Sequence, residues 1–127
     1  MPLTILVVDD SATECAMLER MLKANGYRVI TAMSGEIAIA RAASEHPDLI
    51  LMDIVMPGLN GFQTTRAIGA DERIRNIPVV ICSGKSQDSD RVWGMRQGAK
   101  DYITKPVDER LLLDAIGSLV SIRHLAA

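Results

Sequence analysis

Five short runs of β-branched and aliphatic residues recur along the chain, at residues 4–8, 28–31, 48–52, 77–82 and 101–104. A stretch of helical length follows each of them. The first, third and fourth runs are almost wholly apolar, as strands covered on both faces are, rather than alternating. Five βα repeats with short connections predict a doubly wound α/β domain: a five-stranded parallel sheet with helices on both faces. The 127 residues suit one such domain. No repeat, linker or low-complexity segment interrupts it, and little chain follows the fifth helix. The expectation is one domain over residues 1–127 with no output domain attached.

Helix signals agree with this division. Ser11-Ala12-Thr13-Glu14 has capping-box spacing and places a helix start directly after Asp10. Such a helix buries Cys15, Leu18 and Leu22 and stops at Asn25-Gly26, where glycine can take the left-handed cap. Asp108 is placed to cap the last helix, whose Leu111, Leu112, Ala115, Ile116, Leu119 and Val120 form an apolar stripe. In the fourth helix, closed by Gly98, the inward positions read as Val92, Met95 and Ala99. Trp93 falls on the more polar side with Arg96 and Gln97, either as an edge of the core or as an anchor for a partner.

Charge and targeting features exclude several classes. A net charge of −2 gives no electrostatic reason to expect nucleic acid or an anionic membrane as partner. No apolar run approaches the ~20 residues that span a bilayer, and the N-terminus enters a strand-like run without the basic and apolar regions of a signal peptide. Cys15 and Cys82 lie far apart in apolar settings, unlike a metal pair or a disulfide framework. A cytoplasmic setting follows as the expectation, with no membrane insertion. His46 and His124 read as surface residues, and the methionines as core filler.

In an open parallel sheet, ligands bind beyond the carboxyl ends of the strands. The first strand there ends in Asp9-Asp10, the third in Asp53, the fourth in Cys82-Ser83-Gly84 and the fifth in Thr104-Lys105-Pro106. Two like charges ~4 Å apart repel by about 1 kcal/mol in water and about 4 kcal/mol at an effective dielectric of about 20. Three carboxylates brought together therefore need a cation, or one of them stays protonated. Lys105 alone does not balance them. Hard oxygen donors favour Mg²⁺, which keeps several waters and shares itself with a phosphate. A flavin or dinucleotide site would instead carry a glycine- or hydroxyl-rich phosphate loop after the first strand; Asp9-Asp10-Ser11-Ala12 would repel a bare phosphate.

The segments Ile5-Leu6-Val7-Val8-Asp9-Asp10-Ser11, Leu51-Met52-Asp53-Ile54-Val55-Met56-Pro57-Gly58-Leu59-Asn60-Gly61, Ser83-Gly84 and Asp101-Tyr102-Ile103-Thr104-Lys105-Pro106 resemble the response-regulator receiver family, in family order and over essentially the whole chain. Within it, Val92-Trp93-Gly94-Met95-Arg96-Gln97-Gly98-Ala99, with Lys105-Pro106-Val107-Asp108-Glu109, is similar to PilH-type regulators of type IV pilus twitching motility. The resemblance implies a CheY-like, flavodoxin-like strand order 2-1-3-4-5. It implies Asp53 as the nucleophile that becomes an aspartyl phosphate. Mg²⁺, with Mn²⁺ as a substitute, would sit on Asp10, Asp53 and the backbone carbonyl of Val55, with Asp9 acting through water.

Lys105 would pair with the phosphoryl oxygens and Ser83 would hydrogen-bond them. Gly84 would leave space above the site, Tyr102 would be an aromatic switch coupled to Ser83, and the Lys105-Pro106 bond would be cis. Pro57 and Gly61 would shape the loop after Asp53. Implied partners are a histidine kinase, of chemotaxis type if the pilus resemblance holds, and a downstream protein. That protein would be met through the face formed by the fourth helix, fifth strand and fifth helix, including Trp93 and Tyr102.

Three positions depart from the commonest pattern. Ser83 stands for the more frequent threonine. Val55 and Lys85, two residues after Asp53 and Ser83, flank the route of water and put the phosphoryl lifetime in question. Alternatives are a phosphate sink that drains the kinase, an unphosphorylated scaffold, and a small Asp-nucleophile phosphatase. The last lacks the acid two residues after its nucleophile, where Val55 stands. The expectation is a phosphoacceptor that catalyses its own phosphorylation and dephosphorylation, with no separate substrate.

Overall fold

A computed structural model describes the backbone of residues 2–126 and the side chains of residues 2–120. Five strands, β1 (Thr4–Val8), β2 (Arg28–Ala32), β3 (Leu49–Met52), β4 (Val79–Ser83) and β5 (Asp101–Thr104), alternate with α1 (Ala12–Ala24), α2 (Gly35–Glu45), α3 (Gly61–Ala70), α4 (Asp88–Arg96) and α5 (Glu109–Ala126). The sheet is parallel throughout with order β2-β1-β3-β4-β5, the order the resemblance implies. The central strands β1, β3 and β4 are apolar and buried along nearly their whole length, because helices cover both their faces. One cluster holds Leu6, Ile50, Ala38 and Ile68 on one face; the other holds Val7, Leu51, Leu18 and Ile116 on the opposite face.

The strand bounds differ from the sequence expectation by one residue at the end of β2 and the start of β3, and most at β4, which runs Val79–Ser83 rather than residues 77–82. Pro78 has no N–H for the ladder, and its carbonyl accepts from Ile50 N–H (2.9 Å) as the chain enters the sheet. Ile77 is buried all the same. α1 buries Cys15, Leu18 and Leu22, as its spacing predicts. It ends at Asn25, after which Gly26 takes φ +88°. In α5, Leu112, Ile116 and Val120 face the core, whereas Leu111 is 62% exposed and leaves the predicted stripe. Asp108 caps this helix by accepting from Leu111 N–H (3.1 Å). His46 is exposed and left-handed (φ 46°) at the end of α2, and the side chain of His124 lies outside the described residues.

α4 is the element whose expected orientation is wrong. Val92, Trp93 and Met95 are 52%, 48% and 43% exposed, and the helix buries only Gly94. Ala99, just beyond it, is buried as expected. α4 lies so close to the sheet that a Cβ on Gly94 would come within 2.7 Å of Ile81 Cδ1 and 3.3 Å of the Tyr102 ring. Glycine fits that contact without displacing either side chain, and its larger neighbours turn outward.

Candidate functional site: an acidic pocket at the carboxyl edge of the sheet

Register sets the pocket. Val8 of β1 lies beside Met52 of β3, so the next residues, Asp9 and Asp53, leave the sheet side by side. Asp53 N–H donates to the Val8 carbonyl (2.9 Å), and Asp9 N–H to the Ala32 carbonyl (3.1 Å). Carboxylate oxygens of Asp9, Asp10 and Asp53 all lie within 4.8 Å of one another. Asp9 is buried, Asp53 half-buried and Asp10 exposed. Lys105, at the end of β5, reaches across the sheet: its Nζ donates to Asp9 Oδ2 (2.9 Å) and lies 3.8 Å from Asp53 Oδ1. The backbone of Lys105 is anchored by its N–H donating to the Ser83 carbonyl (2.9 Å), and the Lys105-Pro106 bond is cis.

The charges behave as this crowding demands. The Asp53 carboxyl is pushed above its ordinary value, chiefly by burial and then by the Asp9 charge, against the pull of Lys105. Burial alone would lower the Lys105 ammonium, but its hydrogen bond to Asp9 and the charges of Asp53, Asp9 and Glu14 hold it above its ordinary value. Three carboxylates on one ammonium leave net negative charge, and three close oxygen donors with one open side suit a hard divalent cation. Asp53 Oδ1 also accepts from Ile54 N–H (2.8 Å), which orients the carboxylate.

The other anticipated residues surround this centre. Ser83 is buried at the end of β4, and its Oγ accepts from Lys85 N–H (3.3 Å). Val55, Gly84 and Lys85 are exposed around it. A Cβ on Gly84 would meet nothing within 4 Å, so local packing does not require glycine there. Gly61 is different: a Cβ would lie 2.0 Å from the Asp53 carbonyl oxygen. Its own N–H donates to the Ile54 carbonyl (2.9 Å). Glycine thus lets the start of α3 press against the backbone that carries Asp53. Pro57 is exposed in the intervening loop, beside Gly58 at φ +72°.

Trp93 lies outside the pocket, whereas Tyr102 borders it through Ser83. Trp93 is exposed on α4. Tyr102, anticipated as a surface contact, is only 3% exposed, its ring lying against α4 at Gly94 and under the Arg91 guanidinium, 5.4 Å from the ring centre. Its hydroxyl donates to the Lys85 carbonyl, tying β5 to the β4–α4 loop.

Glu14 was missed. Its N–H donates to Ser11 Oγ (3.3 Å), the first half of the anticipated capping box. The return bond is absent from the described contacts because Ser11 N–H donates instead to Asp9 Oδ1 (2.9 Å). The Glu14 carboxylate is left to turn toward Lys105, with Oε2 3.8 Å from Nζ. The capping-box spacing hid this: the same glutamate that caps a helix in the common motif serves the pocket here.

The model of the response regulator receiver domain matches residues 5–117. This chain belongs to the response regulator receiver domain family. The receiver is 52% identical to protein PilH of Pseudomonas aeruginosa over 117 residues, covering 92% of this chain and 97% of PilH. It is 42% identical over 119 residues to response regulator PleD of Caulobacter vibrioides, covering 94% of this chain but 26% of that protein. Its structure matches the receiver domain of a P. aeruginosa sensor histidine kinase with a magnesium ion coordinated in the active-site cleft. That match has TM-score 0.88 and 30% identity, and covers 95% of this chain and 99% of the other. The receiver is therefore a component of two-component signalling. Among its described residues, no helix is long and apolar enough to cross a membrane.

Proposed function

We propose that this receiver is a stand-alone cytoplasmic switch that takes a phosphoryl group on Asp53 from a histidine kinase in a Mg²⁺-dependent reaction. The observation that carries this is the convergence of Asp9, Asp10 and Asp53 within 4.8 Å, with Lys105 bonded to Asp9 and close to Asp53. One Asp53 oxygen attacks phosphorus; the bond between phosphorus and the donor breaks, and the donor group leaves with that electron pair. Asp10, Asp53 and the Val55 carbonyl would hold Mg²⁺, or Mn²⁺ in its place, with Asp9 acting through water. Mg²⁺, when bound, supplies the positive charge that phosphoryl oxygens need there. Lys105 and Ser83 bind and orient those oxygens. The product is a mixed anhydride, so hydrolysis resets the switch, at a rate set by the rim residues Val55, Gly84 and Lys85.

Output runs through the face of α4, β5 and α5. Trp93, Val92, Met95 and Leu111 are exposed apolar side chains on these elements. A cleft of about 380 Å³ on this face is lined by Arg91, Asp101, Tyr102, Thr104, Asp108 and Leu111. Similarity to PilH supports a place in type IV pilus twitching motility under a chemotaxis-type kinase, either as effector or as phosphate sink.

The test is intact mass after incubation with a small acyl-phosphate donor, with and without Mg²⁺. One phosphoryl group should add to the wild type with Mg²⁺ and none to Asp53→Asn. Failure of the wild type both to take up phosphoryl and to bind beryllofluoride would leave an unphosphorylated scaffold as the better reading.

A further inference from the structure

Lys105 is contested. Its Nζ lies 3.8 Å from Asp53 Oδ1 and the same 3.8 Å from Glu14 Oε2. That Glu14 oxygen is buried and has no hydrogen-bond partner among the described residues. A buried carboxylate oxygen without a donor is costly unless a charge offsets it, and Lys105 is the cation beside it. Glu14 is held in place from below: α1 is fixed to the core through Cys15, Leu18 and Leu22. The Cys15 thiol donates to the Asp9 carbonyl (3.3 Å). The first turn of α1 therefore presents a fourth carboxylate to the pocket from a rigid base.

We propose that Glu14 is a positioning residue that holds Lys105 back from the phosphoryl acceptor and so restrains phosphorylation. The inference rests on Asp53 being the acceptor. When phosphoryl oxygens reach Asp53, Lys105 has to turn toward them. Glu14 draws on the same ammonium from an equal distance, in addition to the hydrogen bond to Asp9 (2.9 Å). Removing its charge without changing its shape frees the lysine for the incoming group. Glu14 acts through Lys105, so its effect disappears when Lys105 is gone.

The test follows adduct formation by intact mass over time, with an acyl-phosphate donor and Mg²⁺. The proteins are wild type, Glu14→Gln, Glu14→Asp, Lys105→Ala, the Glu14→Gln/Lys105→Ala double variant and Asp53→Asn. Glu14→Gln should form the adduct roughly two- to fivefold faster than wild type, the scale of a partly exposed ion pair. Glu14→Asp, which keeps the charge, should stay near wild type. In the Lys105→Ala background, followed over longer incubation, Glu14→Gln should change nothing, because a double-mutant cycle isolates the pair.

The inference is overturned if Glu14→Gln matches or lags behind a wild type that does phosphorylate. It is equally overturned if the gain persists without Lys105, which would mean only a general loss of negative field. A wild type that takes up no phosphoryl, or an Asp53→Asn that does, sinks the acceptor reading itself and this inference with it.

Discussion

Two helices leave strands that feed the acidic pocket, and they are held to the sheet by opposite means. α1 follows Asp9-Asp10 and drives three buried side chains, Cys15, Leu18 and Leu22, into the core. α4 follows the strand that ends in Ser83 and buries a glycine. Each fully buried leucine contributes about 1.5–3 kcal/mol, whereas Gly94 brings no side chain at all. The side that positions charge is thus rigid. The other side is held by an aromatic ring under a glycine and by one hydrogen bond from Tyr102 to the Lys85 carbonyl. Elements that move in switching are drawn from the weakly anchored end of a fold, and α4 is placed there by its packing.

The largest expected effect tests that contrast directly. Leu18→Ala should destabilise the domain by about 2–5 kcal/mol, the range for deleting a fully buried leucine. Val92→Ala on α4 should stay within about 0.5 kcal/mol of wild type, as exposed substitutions do. Denaturant unfolding of both variants measures the difference. Equal losses would mean that α4 is anchored by its apolar residues after all.

Gly94→Ala sharpens the comparison with a smaller effect. The added methyl would meet Ile81 Cδ1 and the Tyr102 ring, and overpacking of this kind costs about 1–3 kcal/mol. Replacing glycine within a helix returns about 1 kcal/mol. Since Ile81 Cδ1 is the end of a flexible side chain and α4 is loosely held, the helix should shift rather than the domain unfold. The net loss should be about 1 kcal/mol, with a changed emission from Trp93, the one tryptophan of the chain. A loss as large as that of Leu18→Ala with unchanged Trp93 emission would contradict a mobile α4.

The same contrast explains what the sequence made legible. The strands, the acid pair and Asp53 were readable because apolar runs end abruptly in charge, whereas the strand order came from the family resemblance and not from the runs themselves. α1 was readable because Cys15, Leu18 and Leu22 repeat at helical spacing. α4 was misread because its only inward residue, Gly94, carries no apolar signal, so periodicity passed to Val92 and Met95. Leu111 was drawn into the α5 stripe by its neighbour Leu112, though only one of two adjacent helical residues points fully inward. Glu14 was hidden by a motif with a commoner explanation. In each case the missed fact depends on which of two partners wins a contact, such as Asp9 over Glu14 for Ser11 N–H, and spacing alone does not rank partners.

The smallest expected effect separates the two loops at the pocket by pH. The β3–α3 loop is tied to α2 by Leu59 N–H donating to Glu36 Oε1 (3.1 Å), which, more than any other contact, holds the Glu36 carboxyl below its ordinary value. The β4–α4 loop is tied by the Tyr102 hydroxyl, whose proton is held above its ordinary value by burial first and by the Asp90 charge second. A carboxyl with a lowered folded-state pKa stabilises above its unfolded value of about 4.3 and loses that contribution as pH falls through the folded value. A phenol with a raised folded-state pKa contributes fully below about 10 and loses its contribution as pH rises through the folded value. Acid should therefore release the Leu59 amide while leaving Lys85 unchanged, and alkali should do the reverse; amide chemical shifts followed from pH 3 to 11 read both. Glu36→Gln, which keeps an acceptor oxygen but does not ionise, should abolish the acid-range change at Leu59. If Leu59 and Lys85 respond together at either end, the two loops are coupled, and the mobility of the β4–α4 side extends to the loop after Asp53.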